Sequence, residues 1–97
     1  MQDKLKYPML DEKTVFPEQC LAARALVGWT RSELAERSGV AASTLADFEA
    51  GKRVPYPRTL ADIRRTLEEA GVIFIAADAE AGAGVRKAAP VSTRPGL

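Results

Sequence analysis

Between positions 52 and 65, Lys52, Arg53, Arg58, Arg64 and Arg65 are opposed only by Asp62. The chemistry open to such a group is attraction of anions; the plain alternative is a solvated surface of mixed charge. Acidic Glu68, Glu69, Asp78 and Glu80 follow, so one end of the fold is expected to be basic and another acidic. Over the whole chain, Lys and Arg number 14 against 13 for Asp and Glu, a net charge of +1. That balance does not by itself announce nucleic-acid binding. Catalytic chemistry is poorly supplied. There is no histidine, so the commonest metal ligand and general base is absent. Ser38 and Ser43 have no evident base, and no carboxylate pair or metal-ligand cluster stands out. No enzymatic activity, metal or cofactor is therefore expected. Cys20 is the single cysteine; it allows no intrachain disulfide and reads as a small buried hydrophobe. The Gly82-Ala83-Gly84 run lacks the context of a phosphate cradle and reads as a turn.

The elements that must position the polar residues are clearest from Trp29 to Lys52. Two short amphipathic helices joined at Gly39 give the layout of a helix-turn-helix, whose second helix can enter the DNA major groove. Thr30 is a good N-cap, and Glu33 three residues later completes a capping box. Leu34 and Ala35 supply the apolar face of the first helix, and Gly39 can end it in the left-handed conformation. Val40, Leu45 and Phe48 recur at a helical period and should pack back on Leu34, with Gly51 stopping the second helix.

This segment resembles the helix-turn-helix of the phage Cro and repressor family, the xenobiotic-response-element (XRE) type. The matching residues are Arg24, the Thr30-Arg31-Ser32-Glu33-Leu34-Ala35 run, Gly39-Val40, Ser43-Thr44-Leu45, Phe48-Glu49 and Gly51-Lys52. The resemblance covers roughly Glu18 to Leu67 and rests on many coordinated positions. It implies that Ala42, Ser43, Thr44, Ala46 and Asp47 face the groove. Ser43 and Thr44 can hydrogen-bond bases or phosphates, Ala42 or Ala46 can touch a thymine methyl, and Asp47 can accept from cytosine while repelling phosphate. None of these positions carries the Arg, Gln or Asn of a bidentate base contact, so readout by this helix should be weak or shape-dependent. Thr30, Arg31, Lys52, Arg53 and Arg58 are the implied phosphate contacts, which position rather than specify. The resemblance further implies a partly buried ion pair, Arg24 with Glu49, locking the first helix to the recognition helix.

The flanks complete the expectation. Residues 1–16 read as an arm, from which Tyr7, Met9, Leu10, Val15 and Phe16 could tuck against the domain. Pro17 opens a helix that runs to Gly28, with Cys20, Ala23 and Val27 inward; Pro55 and Pro57 bracket a loop. Arg58 to Ala70 forms a helix with Leu60, Ile63, Leu67 and Ala70 on one stripe, terminated by Gly71. Residues 72–76 read as a strand, within a C-terminal β element spanning 72–88, and 89–97 as a disordered tail. The strand needs a partner: Val85-Arg86 returning as a hairpin, or the same strand of a second chain. Val72, Ile73, Phe74 and Ile75 do not alternate, so both faces are apolar. Self-pairing through these four residues across a two-fold axis is the favoured expectation; cover by the arm, with Tyr7, Leu10 and Phe16, is the alternative.

The fold class expected is mainly α: a lambda-repressor-like helix-turn-helix domain over 17–71 with a short C-terminal strand or hairpin. Ninety-seven residues, 46% of them hydrophobic, suffice for one small core. No apolar run approaches a membrane span and no signal-peptide core is evident, so a cytoplasmic setting is expected. The expected function is that of a DNA-binding transcriptional regulator, a homodimeric repressor on double-stranded DNA. The rival is a protein-interaction module of the same fold, such as an antitoxin or anti-activator that sequesters a protein partner; the alanine-rich second helix, the arm and the apolar strand favour it.

Overall fold

The computed structural model describes residues 14–89, and within them four helices precede a two-stranded hairpin. Helix α1 spans Pro17–Val27, α2 Arg31–Ser38, α3 Ala42–Glu49 and α4 Pro57–Glu69; β1 spans Val72–Ile75 and β2 Gly84–Lys87. Local chemistry accounts for the boundaries. Pro17 occupies the first turn of α1, where its missing N–H costs nothing. The Phe16 N–H, left over at that end, donates to Gln19 Oε1 at 2.9 Å. Gly28 closes α1 with φ +73°, a conformation that a side chain would strain. The last helix runs Pro57–Glu69 rather than 58–70, because Pro57 takes its first position and Ala70 caps it.

The core is built where the helical stripes meet. Leu34, Leu45, Phe48, Ile63 and Leu67 are fully buried, joined by Cys20 and Ala23 of α1. Val15 is also fully buried, so the core extends into the segment read as an arm. Residues 1–13 and 90–97, including Tyr7, Met9 and Leu10, lie outside the described residues. Thr66 is buried in the α4 stripe without cost, since its hydroxyl donates to the Asp62 carbonyl at 2.8 Å.

The hairpin answers one of the open questions about the strand. β1 pairs antiparallel with β2 of the same chain, Val72 opposite Lys87 and Ile75 opposite Gly84. It is fastened at both ends. The Ala88 N–H donates to the Gly71 carbonyl at 2.8 Å, and buried Gln19 donates through Nε2 to the carbonyls of Gly84 (3.0 Å) and Ile75 (3.3 Å). Four residues expected together at a dimer interface are thereby divided. Val72 and Phe74 are buried in the core of their own chain, whereas Ile73 and Ile75 point outward at 43% and 41% exposure. The reason is the two-residue side-chain period of a strand lying on a helical layer. The inner face is further held by Arg64, whose guanidinium lies 4.9 Å from the Phe74 ring centre.

Candidate nucleic-acid interface

Helix α2 is set by a reciprocal cap. The Thr30 hydroxyl accepts from the Glu33 N–H at 3.1 Å, and the Glu33 carboxylate accepts from the Thr30 N–H at 2.7 Å. Two of the unpaired amides at that helix end are satisfied in this way, and a carboxylate sits near its positive pole. Gly39 ends α2 at φ +77°, and its N–H reaches the Ala35 carbonyl at 3.0 Å. In the turn, the Val40 N–H donates to the Ser38 hydroxyl at 3.2 Å, which lets a polar side chain stay buried. Trp29 packs on the core's edge with the Arg37 guanidinium 4.6 Å above its ring. Arg37 thus braces the two ends of α2's flank.

Helix α3 starts differently. Its N-cap is Ala41, which has no side chain able to take an amide. Leu45 and Phe48 turn inward, so Ala42 and Ser43 are exposed, and Thr44, Ala46 and Asp47 are half-buried. Beside the start of α3 lies a shallow groove of about 200 Å³. Thr44 lines it together with Arg53 of the following loop, Thr59 and Asp62 of α4, and the ring of Tyr56. Thr44, half-buried next to exposed Ser43, is thus part of this groove's wall. Tyr56 is 79% exposed, and its place in the sequence suggests no role beyond the loop. The one signal there is an aromatic residue between two prolines beside cations. Lys52, Arg53 and Arg58 are all exposed. Of the remaining basic residues in the 52–65 cluster, Arg64 pairs with Glu68 at 2.9 Å and Arg65 with Asp62 at 3.0 Å.

The ionic centre beneath these helices is richer than an isolated pair. Arg24 Nε donates to Glu49 Oε2 at 2.8 Å and Nη2 to Oε1 at 2.9 Å, a bidentate contact from α1 to α3. Its Nη1 reaches the Trp29 carbonyl at 3.1 Å. Arg31 Nε donates to Glu49 Oε1 at 3.1 Å, and the Cys20 thiol donates to Oε2 at 3.1 Å. The involvement of Arg31 and Cys20 was not legible in the sequence, since neither spacing relates them to Glu49. Burial opposes charge on Glu49, but the bonds from Arg24, Cys20 and Arg31 outweigh it and hold the carboxyl below its usual range. Burial pushes the Cys20 thiol far up, and the neighbouring Glu49 adds to that, so it stays protonated and unreactive. Bonding to Glu49 likewise raises Arg24. Among the described residues no group of three or more Cys, Asp or Glu is arranged to hold a metal ion, and no helix is long and apolar enough to cross a membrane.

A model of the helix-turn-helix family matches residues 21–70, from α1 to the end of α4, and the chain belongs to that family, in its XRE type. Such a domain implies DNA binding and transcriptional regulation, and the family is typically non-enzymatic. The hairpin lies beyond the matched span. No curated protein matches the chain.

Proposed function

We propose that the chain is a transcriptional repressor that binds double-stranded DNA as a homodimer and occludes a promoter. The observation that carries this reading is the outward side of α3. Ala42 and Ser43 are exposed there, and exposed cations stand on the segments next to α3 in the chain: Arg31 at the start of α2, Lys52 and Arg53 after α3, and Arg58 at the start of α4. These four residues, with Thr30, are the proposed phosphate contacts, and they set register rather than sequence. Ala42, Ser43, Thr44, Ala46 and Asp47 are the proposed groove-facing residues, and Thr44 shares a shallow hollow with Arg53. Specificity then comes from Ser43, Thr44, Asp47 and DNA shape more than from bidentate base contacts. The second copy is proposed to join through the outer face of the hairpin. Ile73 and Ile75 are its apolar side chains, and two-fold pairing there would offer two recognition helices to one operator. A DNA-binding protein of this kind works inside the cell.

Recovery of bound fragments from sheared genomic DNA, followed by gel shifts on the recovered sequences, tests the reading. Enrichment of a two-fold repeated site with strongly salt-dependent affinity is expected. The competing protein-interaction module draws on one observation: Ala42 and Ala46 give α3 no long base reader. Absence of binding to any duplex at low salt would favour it and remove the repressor.

A further inference from the structure

Glu49 carries more than the link between α1 and α3. Arg24 alone gives this carboxylate the bidentate partner that a buried anion needs. Arg31 is thus a second cation on an already balanced anion, and the cluster keeps one surplus positive charge. That charge sits on the more open side chain, since Arg31 is 45% exposed against 14% for Arg24. Arg31 is also the first residue of α2, where the positive end of the helix repels a guanidinium. Without a counter-charge its side chain would spread over many solvent rotamers. The contact to Glu49 uses Nε and leaves Nη1 and Nη2 without a partner among the described residues. Because the guanidinium is planar and rigid, anchoring Nε restricts where the two-nitrogen edge can lie, and that edge is left for a further acceptor on a side chain 45% exposed.

The geometry points to Glu49 as a positioning residue for phosphate recognition: it holds Arg31 by Nε so that the two terminal nitrogens meet one DNA phosphate end-on. This role rests on the DNA-binding reading above. Phosphate capture leaves Glu49 balanced by Arg24, so Arg31 can bridge the buried carboxylate and the DNA backbone without breaking the link between α1 and α3. A side chain already ordered in the free protein loses less entropy on binding.

The test uses the full chain and a fluorescein-labelled duplex of mixed sequence, with anisotropy read over a series of KCl concentrations. Far-UV circular dichroism and a thermal melt report the fold of each variant. Arg31→Gln should weaken binding roughly tenfold and flatten the log affinity against log salt plot by about 0.9. Arg31→Lys keeps the charge, so the slope should hold. Its affinity should still fall several-fold, because an ammonium on a flexible stem lacks the rigid fork that holds carboxylate and phosphate in fixed geometry. Glu49→Gln should weaken binding in the wild-type background and have no further effect beside Arg31→Gln. Equal weakening by Glu49→Gln in both backgrounds makes its role purely structural and overturns the proposal. Arg31→Lys binding as the wild type overturns it as well, and decides alone if Glu49→Gln does not fold. Wild-type protein that binds no duplex at low salt overturns the DNA reading and this role together.

Discussion

The inward side of α3 carries Leu45 and Phe48, fully buried, and Glu49 in hydrogen bonds to Arg24, Arg31 and Cys20. The outward side carries Ala42, Ser43 and Ala46, short side chains with little reach, and Asp47. One helix is therefore over-determined on one side and sparse on the other. The contrast teaches where the domain's specificity can lie. The inward contacts hold the helix firmly in place, since packed cores and bidentate ion pairs leave little freedom. On the proposed DNA-binding reading, the outward side contributes little readout by itself and depends on the cations of the neighbouring segments.

The largest expected effect is on the inward side. Phe48→Ala should destabilise the fold by about 3–5 kcal/mol through reduced burial and a cavity, measured by urea denaturation. Wild-type stability would show that the inward side is not the anchor it looks to be. Next, Arg24→Ala should cost about 3 kcal/mol, since it leaves buried Glu49 short of its bidentate partner. Arg31→Ala, which removes the more exposed of the two arginines on the same carboxylate, should cost under about 1 kcal/mol. Equal losses from the two arginines would erase the distinction between anchor and surplus cation. The same cluster sets a pH dependence. Because the Glu49 carboxyl is held below its usual range, its contribution is fully present above the ordinary carboxylate range. It is lost as pH falls through the lowered folded value. Acid melts should show Glu49→Gln less stable than wild type at neutral pH, with the gap closing as pH falls.

On the outward side the effects should appear in binding instead. Replacing Arg31, Lys52, Arg53 and Arg58 together by Ala should flatten the salt dependence of DNA affinity by roughly 0.9 for each phosphate deprived of its cation. Thermal stability should hardly move, since all four are exposed. Unchanged affinity would remove the basic rim from the interface. The smallest change expected is at Asp47. Asp47→Ala should slightly raise non-specific affinity and relax one position in binding-site selection, and identical selected motifs would place it away from the DNA.

The amino-acid sequence by itself determined the helical layout, because its signals act over three or four residues. Thr30 and Glu33 could only cap each other, Gly28 and Gly39 could adopt the left-handed turn, and Leu34, Leu45 and Phe48 lay on helical stripes. The alternation of Val72 and Phe74 against Ile73 and Ile75 was partly hidden there, since all four are apolar and no polar residue marks the outer face. Tertiary structure alone decided which two turn inward, because that depends on how β1 lies on the helices and pairs with β2. It alone brought Cys20 and Arg31 to Glu49, from positions 29 and 18 residues away. Such contacts join side chains from separate elements, and no local spacing encodes them. They follow only once burial of the common core has fixed how the helices cross.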